Sequence, residues 1–188
     1  MTADARPLVI ILNGVGSVGK SATARALQSI ARRPLLHVAM DTFLEMLPAG
    51  LLDDPRGLLF ERDRRDGRPV VAIRTGPLLQ RALRGMRHAI AALAAQGNDL
   101  IVDEVMLDAA PLEEYRTLLS PFDLRVVGLF APLDVLEARE RARGDREIGL
   151  ARWQYDRVHR GIAYDLEVDT ASATPEACAR LIRDSFAL

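Results

Sequence analysis

Residues 7–21 read "PLVIILNGVGSVGKS", and the fold follows from how that stretch is understood. The run Leu8–Leu12 is apolar without alternation, the pattern of a strand buried on both faces of a parallel sheet. Directly after it come Gly14, Gly16 and Gly19, ending in Gly19-Lys20-Ser21. The segment "ATARALQSIARR" (22–33) then has helical spacing. A buried strand, a glycine-rich turn and a helix form a cradle for an anion. The glycines let backbone N–H groups turn inward without side chains in the way, and the helix adds its partial positive end. The spacing Gly14-x4-Gly19-Lys20-Ser21 matches the phosphate loop of nucleotide-binding proteins. In that loop the lysine neutralises the β- and γ-phosphates and the serine hydroxyl is placed for Mg²⁺.

Of the 25 basic residues, 24 are arginine and the single lysine is Lys20. A GC-rich coding sequence accounts for the arginines but not for where the exception lies. A compact ammonium on a flexible stem reaches between phosphates where a planar guanidinium fits poorly. The net charge of −1 gives no reason to expect nucleic acid or an anionic membrane as partner.

Outward from the loop, short apolar runs alternate with amphipathic ones, the rhythm of an α/β protein. Strands are expected at 7–13, 34–40, 99–103, 124–130 and 164–169, with helices between them. The helix of residues 76–97 carries Leu79, Leu83, Met86, Ile90 and Leu93 as a packing stripe, with Gly97 at its end. "WQYDRVHRG" (153–161) reads as further helix, and the last helix has Thr174 as N-cap and Pro175 at N1. The expectation is one domain over 1–188, a doubly wound sheet of five parallel strands.

Two segments interrupt the rhythm. Residues 49–75 are too long for a connection, and Asp66-Gly67 between two strand-like pieces suggests a hairpin flap on the acceptor side. Residues 139–149, within "EARERARGDREIG", read as a mobile lid. Arg139 and Arg143 share a helical face, and Arg146 follows the hinge residue Gly144. Arginines that arrive late stabilise the charge spread over a phosphoryl group in flight. The same residues also suit a solvated helix held by pairs such as Glu137–Arg141.

Two acids close strands where ligands of open α/β sheets sit. Asp103 stands where such a site holds Mg²⁺, together with Ser21. Asp41 stands at a neighbouring strand end, where it suits a general base; helix capping ahead of "TFLEML" is its structural alternative. Glu104 leaves open a third role, positioning water for hydrolysis. His37, His88 and His159 are far apart and suggest no metal site. The lone Cys178 reads as a core residue and suits a reducing cytoplasm, as does an N-terminus without a secretory pattern.

"IILNGVGSVGKS", "DTFLEMLP", "LIVDEVML", "EARERARGDRE" and "YDLEVDT" occur in the order and spacing of the chloramphenicol 3-O-phosphotransferase family, which the chain resembles along nearly its whole length. The likeness is weakest between Ala49 and Thr75 and most specific at Arg143–Arg146 followed by "VHRGIAYDLEVDT". The acidic pair here is Asp103-Glu104, where two aspartates are expected. The resemblance implies a P-loop kinase fold and transfer of the ATP γ-phosphate to an antibiotic hydroxyl. It puts the catalytic base on Asp41, the lid arginines on Arg143 and Arg146, and the phosphate loop on Gly14–Ser21. The expected catalytic set is Asp41, Lys20, Arg143 and Arg146. The expected nucleotide contacts are Gly14, Val15, Gly16, Ser17, Val18, Gly19, Lys20, Ser21 and Ala22, with Arg139 and Arg143. Mg²⁺ and a small hydroxylated acceptor complete the expectation. A kinase of an ordinary metabolite or nucleotide sugar, and a nucleotide switch or hydrolase using Glu104, remain the alternatives.

Overall fold

The computed structural model describes residues 6–144 and 146–188. The extreme N-terminus and Asp145, inside the expected lid, lie outside the described residues. Five parallel strands form the sheet: β1 (Leu8–Asn13), β2 (Leu35–Ala39), β5 (Asp99–Glu104), β6 (Asp123–Phe130) and β7 (Leu166–Asp169). Their order is β2-β5-β1-β6-β7. Two further strands, β3 (Leu58–Arg65) and β4 (Arg68–Thr75), form a separate two-stranded sheet. The helices are α1 (Lys20–Ile30), α2 (Met40–Leu44), α3 (Pro77–Ala95), α4 (Ala110–Leu118), α5 (Leu133–Arg143), α6 (Leu150–Tyr155) and α7 (Pro175–Phe186). The five-stranded α/β sheet expected from the sequence is present.

Strand alternation sorts the core into two layers. Leu8, Ile10, Leu12, Ile101 and Leu129 pack with Ala24 and Leu27 of α1, Leu136 of α5, and Cys178 and Ile182 of α7. Val9, Ile11, Leu100 and Val102 face the other way, onto Met86 and Ile90 of α3 and Leu112 and Tyr115 of α4. Each of these apolar side chains contributes about 1.5–3 kcal/mol of burial. The same alternation sets the acids. Asp103 falls on the α1 side and its neighbour Glu104 on the α4 side. Across the sheet Asp103 is in register with Ala39 of β2 and Leu12 of β1, so the ends of three strands converge beside the glycine-rich loop.

The hairpin turns at Asp66 and Gly67, with φ of 50° and 73°, the paired positive values of a tight two-residue turn. Gly144 ends α5 at φ 70°, and the Thr174 hydroxyl caps α7 by accepting the Ala177 N–H at 3.2 Å. The helix expected over 153–161 is shorter and earlier: it spans Leu150–Tyr155 and gives way to turns. In the turns after it, the Asn13 side-chain amide donates to the Val158 carbonyl at 2.8 Å, tying them to the end of β1. Among the described residues no helix is long and apolar enough to cross a membrane.

Candidate active site

The loop between β1 and α1 is held open by its glycines. A Cβ on Gly14 would come within 2.7 Å of the Leu129 carbonyl and 2.8 Å of Val18, so only glycine lets the loop pass over β6. Gly19 has φ of 104°, where other residues are strained. Val15 and Val18 are buried beneath the loop, each 1% exposed. Gly16, Ser17, Gly19, Lys20, Ser21 and Ala22 line a cleft of about 650 Å³.

Lys20 lies at the start of α1 and is 7% exposed. Its ammonium donates to the carbonyls of Gly14 at 2.9 Å and Val15 at 3.2 Å and stands 4.0 Å from Asp103. Burial lowers its pKa, and Asp103 and Asp41 oppose that shift. The ammonium thus donates to two neutral carbonyls with the Asp103 carboxylate beside it, carbonyls that a phosphate can replace. The Ser21 hydroxyl donates to an Asp103 carboxylate oxygen. One hydroxyl and one carboxylate, side by side at the loop, are the hard oxygen donors that suit Mg²⁺, which usually keeps water and substrate phosphates as its other ligands. No group of three or more His, Cys, Asp or Glu able to hold a metal is found among the described residues.

Asp41 is the second residue of α2, just past the end of β2, and the N-cap position belongs to Ala39. Its carboxylate accepts from Arg146 at 2.6 Å, so it is engaged by the segment after α5 and makes no cap. Arg143 lines the same cleft. Arg139 does not share that placement, although it shares the helix. Its guanidinium donates to the Thr170 hydroxyl at 3.1 Å and the Thr170 carbonyl at 2.6 Å, behind the loop. The helix of the lid also forms no Glu137–Arg141 pair in its exposed face; Glu137 binds Arg152 of α6.

Glu104 is 4% exposed, on the far side of β5. It accepts from the Tyr115 hydroxyl at 2.9 Å and from the Val105 N–H at 3.1 Å, and burial raises its pKa. It takes no part in the cleft lining. Its carboxylate is engaged by Tyr115 and Val105, outside the lining where a water-positioning group would act.

Opposite the phosphate loop the hairpin supplies an apolar wall. Leu58 pairs across the strands with Thr75, and Phe60 with Ile73, and all four line the cleft together with Leu79 and Leu83 of α3. The cleft thus brings the polar groups around Lys20, the apolar side chains of the hairpin and the Asp41 carboxylate into one lining.

Three contributors were not singled out from the sequence. His37 lies 3.8 Å from Asp103, and burial lowers its pKa. Its signal was present, since two residues along β2 from Ala39 puts it on Asp103's side. Thr170 receives Arg139 and donates to the Val18 carbonyl at 2.9 Å. Gln154 accepts the Gly16 N–H at 2.8 Å, and nothing in its local sequence announces that contact.

Comparison with known proteins speaks to the family and the fold. The family model described as chloramphenicol phosphotransferase-like protein matches residues 7–187. A protein of Mycobacterium tuberculosis provisionally described as an O-phosphotransferase is 28% identical over 95% of this chain and 81% of its own. Among solved structures, a sugar kinase from Janibacter sp. has a TM-score of 0.68 at 17% identity, covering 96% of this chain and 95% of its own. The APS kinase CysC of M. tuberculosis, solved with AMPPNP and APS, has a TM-score of 0.67 at 17% identity, covering 98% and 99%. At such identities the two structures speak for the P-loop kinase fold.

Proposed function

Because the chain belongs to the chloramphenicol phosphotransferase-like family, we propose that it transfers the γ-phosphate of ATP to a hydroxyl of a small molecule, with chloramphenicol or a related antibiotic as acceptor. The observation that carries this reading is one cleft whose lining brings together Lys20, Ser21 and Asp103 of the loop side, Asp41, and the apolar Phe60 and Ile73 of the hairpin. The mycobacterial relative's description as an O-phosphotransferase and the nucleotide-bound APS kinase of the same fold support it.

In the proposed mechanism ATP lays its phosphates on the loop of Gly14–Ser21, with Lys20 drawn off the carbonyls of Gly14 and Val15. Arg146 exchanges Asp41 for the phosphoryl oxygens, and Arg143 joins it. Asp41 then accepts the acceptor's hydroxyl proton as that oxygen attacks the γ-phosphorus; the bond to the β-phosphate oxygen breaks and ADP leaves. Ser21 and Asp103 would hold Mg²⁺, which when bound neutralises phosphate charge. The hairpin and lid keep water from competing with the alcohol. An ATP-dependent reaction and one buried thiol suit the cytoplasm. The apolar wall favours an acceptor with a substantial apolar body beside its hydroxyl.

The test is incubation with Mg-ATP and a panel of hydroxylated antibiotics and metabolites, followed by mass spectrometry. The expected result is a phosphate adduct on one acceptor, formed in step with ADP. Free phosphate release with every acceptor unmodified contradicts it.

A further inference from the structure

The lid arginines and the phosphate loop are joined by a short helix whose polar contacts the proposed reaction does not use. Gln154, near the end of α6, is 4% exposed. Its side-chain oxygen accepts the Gly16 N–H at 2.8 Å, and a Cβ on Gly16 would stand 3.1 Å from that same oxygen. One of the N–H groups of the glycine-rich turn is thus held by a side chain from the lid side of the molecule, 138 residues away.

The other end of α6 is fixed just as specifically. Glu140 of α5 is 3% exposed. Its two carboxylate oxygens accept the N–H groups of Gly149 at 2.8 Å and Ala151 at 2.7 Å. These are donors that the start of a helix leaves without partners of its own. The Gly149 carbonyl accepts the Val71 N–H of β4 at 3.1 Å. Gly149 has φ of 103°, and a Cβ there would meet the Pro69 carbonyl at 2.6 Å, so α6 and the hairpin meet backbone to backbone. One short helix therefore touches the lid, the acceptor hairpin and the phosphate loop, each through a hydrogen bond of good length.

We propose that Gln154 is a positioning residue of the phosphate loop: it orients the Gly16 peptide from α6 and so ties the loop's shape to the lid-side anchor at Glu140. The proposal rests on the phosphotransferase reading for its purpose but not for its test. Removing the acceptor oxygen leaves the Gly16 N–H unpaired in a tight loop, the costly side of hydrogen bonding. The loop then spends time in shapes that do not fit phosphates.

The experiment follows Gly16 amide hydrogen exchange by NMR in the full-length protein without nucleotide, and binding of Mg-AMPPNP by calorimetry. Gln154→Met keeps the volume and loses the oxygen. Gly16 exchange should rise about tenfold or more and affinity for AMPPNP should fall about five- to tenfold. Exchange at Ile10 and Val102 should stay unchanged. Gln154→Glu retains an acceptor and should return Gly16 exchange to within about twofold of the parent. Glu140→Gln, which does not touch the loop, should raise Gly16 exchange about threefold by loosening the start of α6. Gly16 exchange unmoved in Gln154→Met, equal acceleration in Gln154→Glu, unchanged AMPPNP affinity in Gln154→Met, or no response in Glu140→Gln each overturns the proposal. If the parent protein does not bind AMPPNP, the nucleotide reading fails, while the exchange results still judge the Gly16–Gln154 contact.

Discussion

Lys20 and Asp103 are 7% and 6% exposed and stand where the ends of β1 and β5 meet α1. Phe60 and Ile73, across the same cleft, belong to a two-stranded ribbon that pairs with no other strand. The first region is held by sheet register, by Gly14, where a Cβ would have no room, and by a core packed on both faces. The second has few buried residues beyond Leu58, Val70 and Val71, and leans on the body through Leu47, Leu79 and α6. A two-stranded ribbon is marginal by itself. The difference teaches that the loop end of the cleft is fixed by the sheet and its core, while the hairpin end rests on a few packing contacts and on one backbone hydrogen bond to the start of α6.

The sharpest way to break that comparison is at Asp41, where the two regions meet. Asp41→Asn should lower phosphotransfer turnover about 10³-fold, the usual scale for loss of a general base, with AMPPNP binding retained in calorimetry. Glu104→Gln should leave turnover within about threefold, because its carboxylate is engaged by Tyr115 on the other face. If Glu104→Gln proves the more damaging, water activation replaces the kinase reading.

Next in size is the nucleotide end. Lys20→Met should reduce turnover by about 10² to 10³-fold, comparable to removing one preorganised charge-stabilising donor. Coupled ADP assays and a circular dichroism spectrum would separate that loss from unfolding. On the acceptor side, Phe60→Ala should raise the acceptor's KM about tenfold and change kcat by less than about threefold, as expected for one apolar contact of 1–3 kcal/mol. Its AMPPNP affinity should match the parent's. A matching loss of nucleotide affinity would mean that the two regions are not separable.

The smallest effect concerns pH. Burial, with a contribution from Lys20, pushes His159 down to about 4, while its ring stacks on Phe130 at 3.9 Å. In the unfolded chain the ring gains a proton near pH 6.5, and in the folded protein it does not until about pH 4. The unfolded state therefore binds more protons in that window, and stability falls as pH drops through it. The urea midpoint should decrease from pH 7 to pH 4.5, and the decrease should be smaller in His159→Gln. Comparing the variant with its parent isolates this group from Glu104, whose raised pKa acts in the opposite sense.

Much of the sheet was legible in the sequence because it is encoded by local patterns. The unbroken run Leu8–Leu12, the spacing Gly14–Ser21 and the strand-end position of Asp103 each have one physical solution. Asp66-Gly67 identified its turn because few residues adopt two positive φ values in succession. What was not legible depends on contacts between distant segments. Beyond the end of α6 at Tyr155 the turn is pinned by Asn13, far away in sequence, which donates to the Val158 carbonyl. Arg139 and Arg143 lie on one helix four residues apart, yet Thr170 draws the first behind the loop while the second lines the cleft. Glu104 reads like Asp103 in the one-letter string, and only the alternation of β5 separates them. The acceptor wall is apolar in sequence as any core is, so Phe60 could not be told from packing until the hairpin's position was known.

The most direct test of the account is a crystal structure with Mg-AMPPNP bound. It should find Lys20 moved from the carbonyls of Gly14 and Val15 to the phosphates. Arg146 should have turned from Asp41 toward the terminal phosphoryl group, and the Asp41 carboxylate should face the side from which an alcohol would attack. Asp41 still paired with Arg146 and remote from the terminal phosphorus would contradict the account.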